Sequence, residues 1–236
     1  MGGFNKYGSS DNYILLGGGG DKPVSDFMLG NNGYDYVEIG GLKWATMNVG
    51  ANSVTDYGLY FQWGDINGYI ALQCGSGTFQ KPFGWADYKY GNGTSSPGAN
   101  GMTRYNSSDL LTRLDIVDDA AHANWSGMWR MPTTAEFQAL GNAVNRAWTS
   151  DYQGSGVPGI ICTDKTDSSK VLFFPACGYC YNGSVYNVGS YGYYWSSSLY
   201  SSNVQDAYYL YFLDGLVRWQ RSSHRSHGFS VRGVIG

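Results

Sequence analysis

Few residues of this chain have the types and spacing that chemistry requires. Cys177-Gly-Tyr-Cys180 has the two-residue gap of redox and metal-binding pairs. A zinc site needs four ligands, and no second such pair or His pair stands at a suitable distance. A thioredoxin-type site needs a helix after its first cysteine, whereas GYCYNGS reads as a turn. The pair therefore reads as incidental, and four cysteines are too few for a disulfide scaffold. His224 and His227 stand three apart and would reach one metal on a helix. The surrounding RSSHRSHG looks like a loop, so surface polar residues are the plainer reading. Asp115, Asp118 and Asp119 carry oxygens suited to calcium, but acids at a helix start explain them more simply. No serine sits in a G-x-S-x-G elbow, and no P-loop is present. The glutamates are Glu38 and Glu136 alone, and Glu136 has a capping role, so a carboxylate pair for glycoside hydrolysis would have to come from aspartates. These residues predict a protein that binds without catalysis and needs no cofactor, with a structural calcium as the one ion they leave room for.

Binding chemistry is more legible. From Tyr179 to Gly236 the chain holds 10 Tyr and 11 Ser, and no Lys, Glu, Thr, Pro or Met. Tyr offers a large amphipathic contact area with little rotamer entropy to lose, and Ser and Gly adapt around it. A strand-rich core would also use Tyr, and it accounts for Tyr194 and Tyr208. It does not account for a dense, mixed polar stretch between two hydrophobic strand signals. That stretch is Arg218, Gln220, Arg221, Ser222, Ser223, His224, Ser226 and His227.

The elements that must position these residues follow from pattern. The chain has 236 residues and a net charge of −3. Only 14% of residues are charged, against roughly 25% in an average domain. Scattered basic residues argue against a nucleic-acid partner. No apolar run approaches the ~18 residues of a membrane span. The start lacks a charged head followed by a long apolar stretch, so no signal peptide is expected. Residues 1–33 hold the Gly17–Gly20 run between two strand-like pieces, 13–16 and 26–29, and read as a flexible leader or a docking segment. From Tyr34 the chain looks globular. Strands are predicted over 34–39, 42–49 and 58–63, and residues 66–107 read as long loops. One helical region is predicted over 108–113 and 118–123. A second starts at the Thr133-x-x-Glu136 capping box, with Phe137, Leu140 and Val144 at helical spacing. Six further strands follow, over 157–162, 170–174, 193–197, 207–212, 216–219 and 229–235. Helices followed by antiparallel strands predict an α+β fold.

Several stretches resemble a known pattern. WATMNVGA (44–51), DYGLYFQWGD (56–65), DDAAHANWSGMWRMPTTAEFQAL (118–140), GYYWSSS (192–198) and GFSVRGV (228–234) resemble the C-type-lectin-like domains of gut-bacterial surface and phage proteins. The resemblance covers residues 34–236 and implies a C-type-lectin-like fold with two helices, antiparallel strands and long loops. It makes Trp44, Trp63, Trp129, Trp195 and Phe229 structural anchors. WRMPT and GFSVR are also similar to the formylglycine-generating branch of lectin-like folds. Cys177 and Cys180 do not sit in that enzyme's motif, so its activity is not carried over.

The C-terminal block resembles the variable region, about 179–227, of a diversity-generating retroelement target protein. In such systems template adenines are copied with errors, so AAC or AAT codons become Tyr, Ser, Asp, His, Arg, Gly and others, but never Lys, Glu, Met or Trp. Gln205 and Gln220 do not arise that way. The resemblance implies a fixed frame of Trp195–Ser198, Ala207, Phe212, Trp219 and 229–234. It implies ligand contacts from Tyr181, Asn182, Tyr186, Asn187, Tyr191 and Tyr193. Further contacts would come from Tyr200, Ser201, Asp206, Tyr209, Tyr211, Leu213 and Asp214, and from the polar stretch 218–227 named above.

SSDNYILLGGGGDKPVSDFML (9–29) resembles stretches of long tail-fibre proteins in phages of gut bacteria. It implies an attachment segment that joins the domain to a phage tail or another display structure, on a virion or alternatively a bacterial cell surface. Receptor-binding tail proteins are often homotrimers. The partner expected is a host-cell surface protein or glycan. The rivals are a bacterial surface or pilus-tip adhesin, a formylglycine-generating-type enzyme, and a carbohydrate-binding module using Asp-bound calcium.

Overall fold

A computed structural model describes residues 13–15, 21–23 and 32–236. The architecture is mixed α+β, with few helices and many antiparallel strands in several small sheets. Towards the N-terminus, β1 (Tyr13–Leu15) pairs antiparallel with β2 (Asp21–Pro23). The strand expected over 26–29 lies outside the described residues. β3 (Tyr36–Ile39) and β4 (Leu42–Asn48) form a hairpin, and β13 (Arg232–Ile235) from the other end of the chain pairs with β4.

Between β4 and the first helix runs a long stretch of loops and short 3-10 turns. Residues 58–63, expected as a strand, make only single bridges, Tyr60 to Tyr69 and Phe61 to Phe229. They are nonetheless buried at Tyr60, Phe61 and Trp63. The expected helix over 108–113 is absent. Asn106 and Asp109 bind the local backbone instead: Asn106 Oδ1 accepts from the Ser108 amide at 2.8 Å, and Asp109 Oδ2 accepts from the Tyr105 amide at 2.6 Å. Such short polar side chains compete with helical hydrogen bonds, and Leu110 is driven to φ +57°.

The first helix, α1, is Ala120–Trp125. Asp119 is its N-cap and accepts from the amides of Ala121 and His122 at 3.0 Å each. Asp118 turns away from the helix. Its carboxylate, held below the ordinary range by hydrogen bonds from Tyr105, Tyr90 and Lys89 that outweigh its burial, ties the 89–105 loop down.

The second helix, α2, is Thr134–Ala143. Its capping box is complete: the Glu136 amide donates to Thr133 Oγ1 at 3.2 Å, and the Thr133 amide donates to Glu136 Oε2 at 2.7 Å. Thr133→Ala is expected to cost about 1 kcal/mol in urea unfolding, with Thr133→Ser nearly neutral. Val144 ends this helix and opens β5 (Val144–Thr149), a strand the helical spacing concealed.

β5 pairs with β6 (Gly159–Asp164), and β6 with β7 (Val171–Pro175). The GYCYNGS segment is a hairpin, β8 (Tyr179–Tyr181) and β9 (Ser184–Tyr186), closed by Asn182-Gly183. Both turn residues have positive φ, 47° and 78°, the demand of a two-residue hairpin turn that Asn-Gly meets. The last sheet is β10 (Tyr191–Leu199), β11 (Asp206–Leu213) and β12 (Leu216–His224), all antiparallel. The closing strand starts at Arg232 rather than 229. Phe229 and Ser230 are held by single bridges to Phe61 and Tyr194.

Two cores result. One gathers Trp44, Phe137, Phe174, Tyr194 and Phe212. The other gathers Trp63, Trp125, Trp129, Trp195 and Phe229. Alternation in β10 and β11 assigns their side chains to one core or the other. Gly192 is required where the two strands pack: a Cβ there would lie 2.0 Å from the Phe212 ring.

Candidate functional site

The pleat of the last sheet builds the site. Tyr194, Leu210 and Phe212 point into the first core. Tyr191, Tyr193 and Trp195 of β10 lie opposite Leu213, Tyr211 and Tyr209 of β11, and these belong to the other face. The β8–β9 hairpin folds against it. The Tyr179 ring lies 5.3 Å from Tyr186 and 4.8 Å from Tyr193. Tyr193 in turn meets Tyr209 at 5.8 Å and Tyr211 at 5.3 Å, and Tyr191 meets Tyr211 at 5.9 Å.

Phe229 is the floor of this array. It is 1% exposed and stacks on Trp195 at 4.1 Å. Tyr179, Tyr193, Tyr209 and His227 all contact its ring. Burial pushes the Tyr209 hydroxyl up to about 12 and raises those of Tyr193 and Tyr211, so each stays a neutral phenol able to donate and accept. Arg221, opposite Tyr209 in the register, sets its guanidinium 5.0 Å over the Tyr211 ring. Tyr209 and Tyr211, expected as ligand contacts, are buried at 5% and 8% exposure and belong to the core, and Tyr179, Tyr191 and Tyr193 are half-buried. The result is a largely buried ribbon of rings under one exposed cation, whose half-buried and flanking rings are suited to contact rather than to bond-making.

The rim is histidine-rich. His227 lies 4.6 Å from Tyr181, His224 lies 5.6 Å from His227, and Trp85 lies 5.3 Å from His224. Burial, then the neighbouring His224, lowers His227 to about 4. Its Nδ1 is 3.0 Å from Ser223 Oγ. In the unfolded chain His227 protonates near 6.5. The folded state therefore takes up this proton later, and stability present above pH 6.5 is lost as pH falls towards 4. The loss is up to about 3 kcal/mol. Melting at pH 7 and pH 5 should show the fall, and His227→Gln should flatten it.

The other residues expected in the site are dispersed. Tyr181 and Tyr186 are exposed beside the ribbon at 41% and 40%. Asn182 and Asn187 are exposed at left-handed turn positions, φ 47° and 60°. Gln220 turns to α2, where Gln138 Nε2 donates to its Oε1 at 2.8 Å, and exposed Arg218 lines the same hollow between α2 and β12. Ser222 sits opposite Tyr208, and Tyr200 packs edge-on to Tyr208 at 5.2 Å, next to exposed Ser201. Asp214 is exposed in the β11–β12 turn. Asp206 is half-buried, 3.8 Å from His224. Ser226 is fully buried and belongs to the scaffold rather than to a surface. Neighbouring Arg225 is also fully buried, with its guanidinium 5.4 Å from both the Trp63 and Tyr88 rings.

Two participants escaped the sequence reading. Tyr179, at the centre of the ribbon, is two residues before Tyr181 on one strand, so period-two spacing pointed to it. Trp85 lies in the loop region, where no periodicity marks it. The cysteine reading needs correction as well. Cys180 is bonded to Cys74, 106 residues away, and Cys177 is a buried free thiol pushed up by burial. The 177/180 pair is thus no redox or metal pair, and Cys180 is not incidental. Among the described residues no grouping of three His, Cys, Asp or Glu could hold a metal. Asp115 pairs with Arg104, Asp118 binds Lys89, and Asp119 caps α1. Trp44, Trp63, Trp129 and Trp195 are all buried.

No helix among the described residues is long and apolar enough to cross a membrane. No curated protein and no solved structure matches this chain. Residues 161–234, from within β6 into β13, match the model of a domain of unknown function, DUF8237, and this stretch carries the whole tyrosine ribbon.

Proposed function

We propose that this chain is a receptor-binding protein with a C-type-lectin-like fold, attached through its N-terminal segment to a phage tail, whose tyrosine ribbon binds a host-cell surface protein or glycan. One observation carries the reading: half-buried Tyr179, Tyr191 and Tyr193 form one contiguous array with the buried Tyr209, Tyr211 and Phe229, with exposed Arg221 on top and exposed Tyr181 and Tyr186 beside it. Rigid aromatic anchors lose little entropy on binding. The few helices, antiparallel strands and long loops support the lectin-like reading. Of the frame expected for a retroelement target, Trp195, Ala207, Phe212 and Phe229 are buried, while Trp219 is half-buried. Several copies on one tail would add avidity of ~10²–10⁴. A bacterial-surface adhesin is the second reading. The Cys74–Cys180 disulfide suits any oxidising exterior, cell surface or virion.

Sequencing the gene's 3′ end across a natural population tests this. Variation should fall within codons 179–227, trace to template adenines, and spare Trp195, Phe212 and Phe229. A uniform region would remove the retroelement part of the reading. For one variant, Arg221→Ala should weaken cell binding at least tenfold without lowering stability, because the guanidinium is exposed.

A further inference from the structure

Beside the ribbon lies a hollow of about 390 Å³, bordered by Trp85, Asp87, Ser95, Tyr181 and Asn182. Its volume falls within the range of small-ligand sites, roughly 300–1,000 Å³. Three segments form it, the 3-10 turn 85–87, the tip of the β8–β9 hairpin and the loop that carries Ser95. The first two are fixed to each other and to the core. The Gly183 amide donates to Pro82 O at 2.7 Å, and the buried Gln62 Nε2 donates to Gly84 O, Asp87 Oδ2 and Ser226 O. The Cys74–Cys180 bond clamps the hairpin from behind. The two walls that carry Trp85, Asp87, Tyr181 and Asn182 are therefore pre-formed.

We propose that this hollow is a subsite for a neutral sugar ring at the end of a host-cell glycan. The proposal rests on the receptor-binding reading only for the source of that glycan. A pyranose has an apolar C–H face and a rim of hydroxyls. Trp85 and Tyr181 supply flat rings for the face. Asp87, Asn182 and Ser95 supply a carboxylate, an amide and a hydroxyl for the rim. Asp87 Oδ1 accepts from the Gly84 amide at 2.7 Å, and Oδ2 lies 3.4 Å from Lys81. Two carboxylate oxygens offer about four acceptor positions, so capacity remains for a sugar hydroxyl. Lys81 is shared with Asp65, also at 3.4 Å, so two carboxylates face one ammonium. The local excess of negative charge disfavours acidic sugars.

The test uses the full chain on neutral mannose-, galactose- and glucose-terminated oligosaccharides displayed multivalently, with sialylated oligosaccharides alongside. At least one neutral class should be retained. Trp85→Ala should reduce retention tenfold or more, Trp85→Phe should keep part of it, and Asp87→Asn should admit the sialylated probe. No retention of any neutral class, or retention unmoved by Trp85→Ala, overturns the subsite. A parallel arm measures binding to gut-bacterial cells before and after periodate cleavage of their glycans. Cell binding that survives periodate and Trp85→Ala but fails in Arg221→Ala refutes the subsite and leaves the receptor reading standing. Neutral-sugar retention with no cell binding does the reverse.

Discussion

Cys74→Ser should lower the unfolding midpoint by about 10 °C and sharply weaken binding at the tyrosine ribbon. The bond closes a loop of 106 residues, which by the chain-entropy argument removes roughly 4–5 kcal/mol of freedom from the unfolded chain; native disulfides deliver about 2–4. For a domain near this size each kcal/mol moves the midpoint by about 2–4 °C. Function suffers for a separate reason. Cys180 sits between Tyr179 and Tyr181 and holds the hairpin that carries three of the tyrosines. Backbone pairing of Cys180 with Gly228, at 2.8 Å in both directions, keeps the hairpin near its place but leaves its tip freer. Dithiothreitol should reproduce the effect on the natural chain and do nothing further to Cys74→Ser. Equal midpoints with and without reductant would show that the bond does not form. Cys177→Ala is the control. It loses a thiol hydrogen-bonded to Tyr194 but no crosslink, and should be insensitive to reductant.

Phe229→Ala should cost about 3–5 kcal/mol, the range for emptying a large aromatic site in a core. The ring is the shared contact of Trp195, three tyrosines and His227, so the cavity opens directly beneath the ribbon. Near-ultraviolet circular dichroism should lose intensity well below the melting point, because the tyrosines lose their fixed setting. Phe229→Leu should cost about half as much. Phe79→Ala supplies the contrast: at 87% exposure that ring covers nothing, and its removal should stay within about 0.5 kcal/mol. Equal effects from Phe79 and Phe229 would remove the floor argument.

The strands were legible where period-two alternation spans a buried face, as in β3, β4, β10 and β11. The second helix was legible because a capping box is a local signal. Residues 58–63 misled because burial on all sides produces an apolar run whether or not a ladder forms; here the backbone is satisfied by single bridges. Residues 108–113 misled because Asn106 and Asp109 bind the local backbone in place of helical hydrogen bonds. The disulfide was invisible because its partners are 106 residues apart and its near neighbour, Cys177, offered a false pair. For the site, residue type pointed to the right segment but not to the face. Ser226 and Arg221 are both polar and five residues apart. Arg221 lies within β12, opposite Tyr209, and is exposed, whereas Ser226 lies past the end of that strand, buried where Gln62 Nε2 donates to its carbonyl.

The ribbon's sheet is stitched to its neighbours through main chain. The Phe61 amide donates to Phe229 O, the Trp195 amide to Ser230 O, the Ser230 amide to Tyr193 O and the Cys180 amide to Gly228 O. Main-chain hydrogen bonds are indifferent to side-chain identity. Outward positions on such a frame can exchange residues while the inward ones keep the geometry, and substitutions far enough apart combine nearly additively. The number of surfaces one backbone can display then multiplies with each exposed position set well apart from the others, such as Ser201 and Asp214 at opposite ends of β11, whereas the ribbon tyrosines, in ring contact at 4.8–5.9 Å, would need compensating changes.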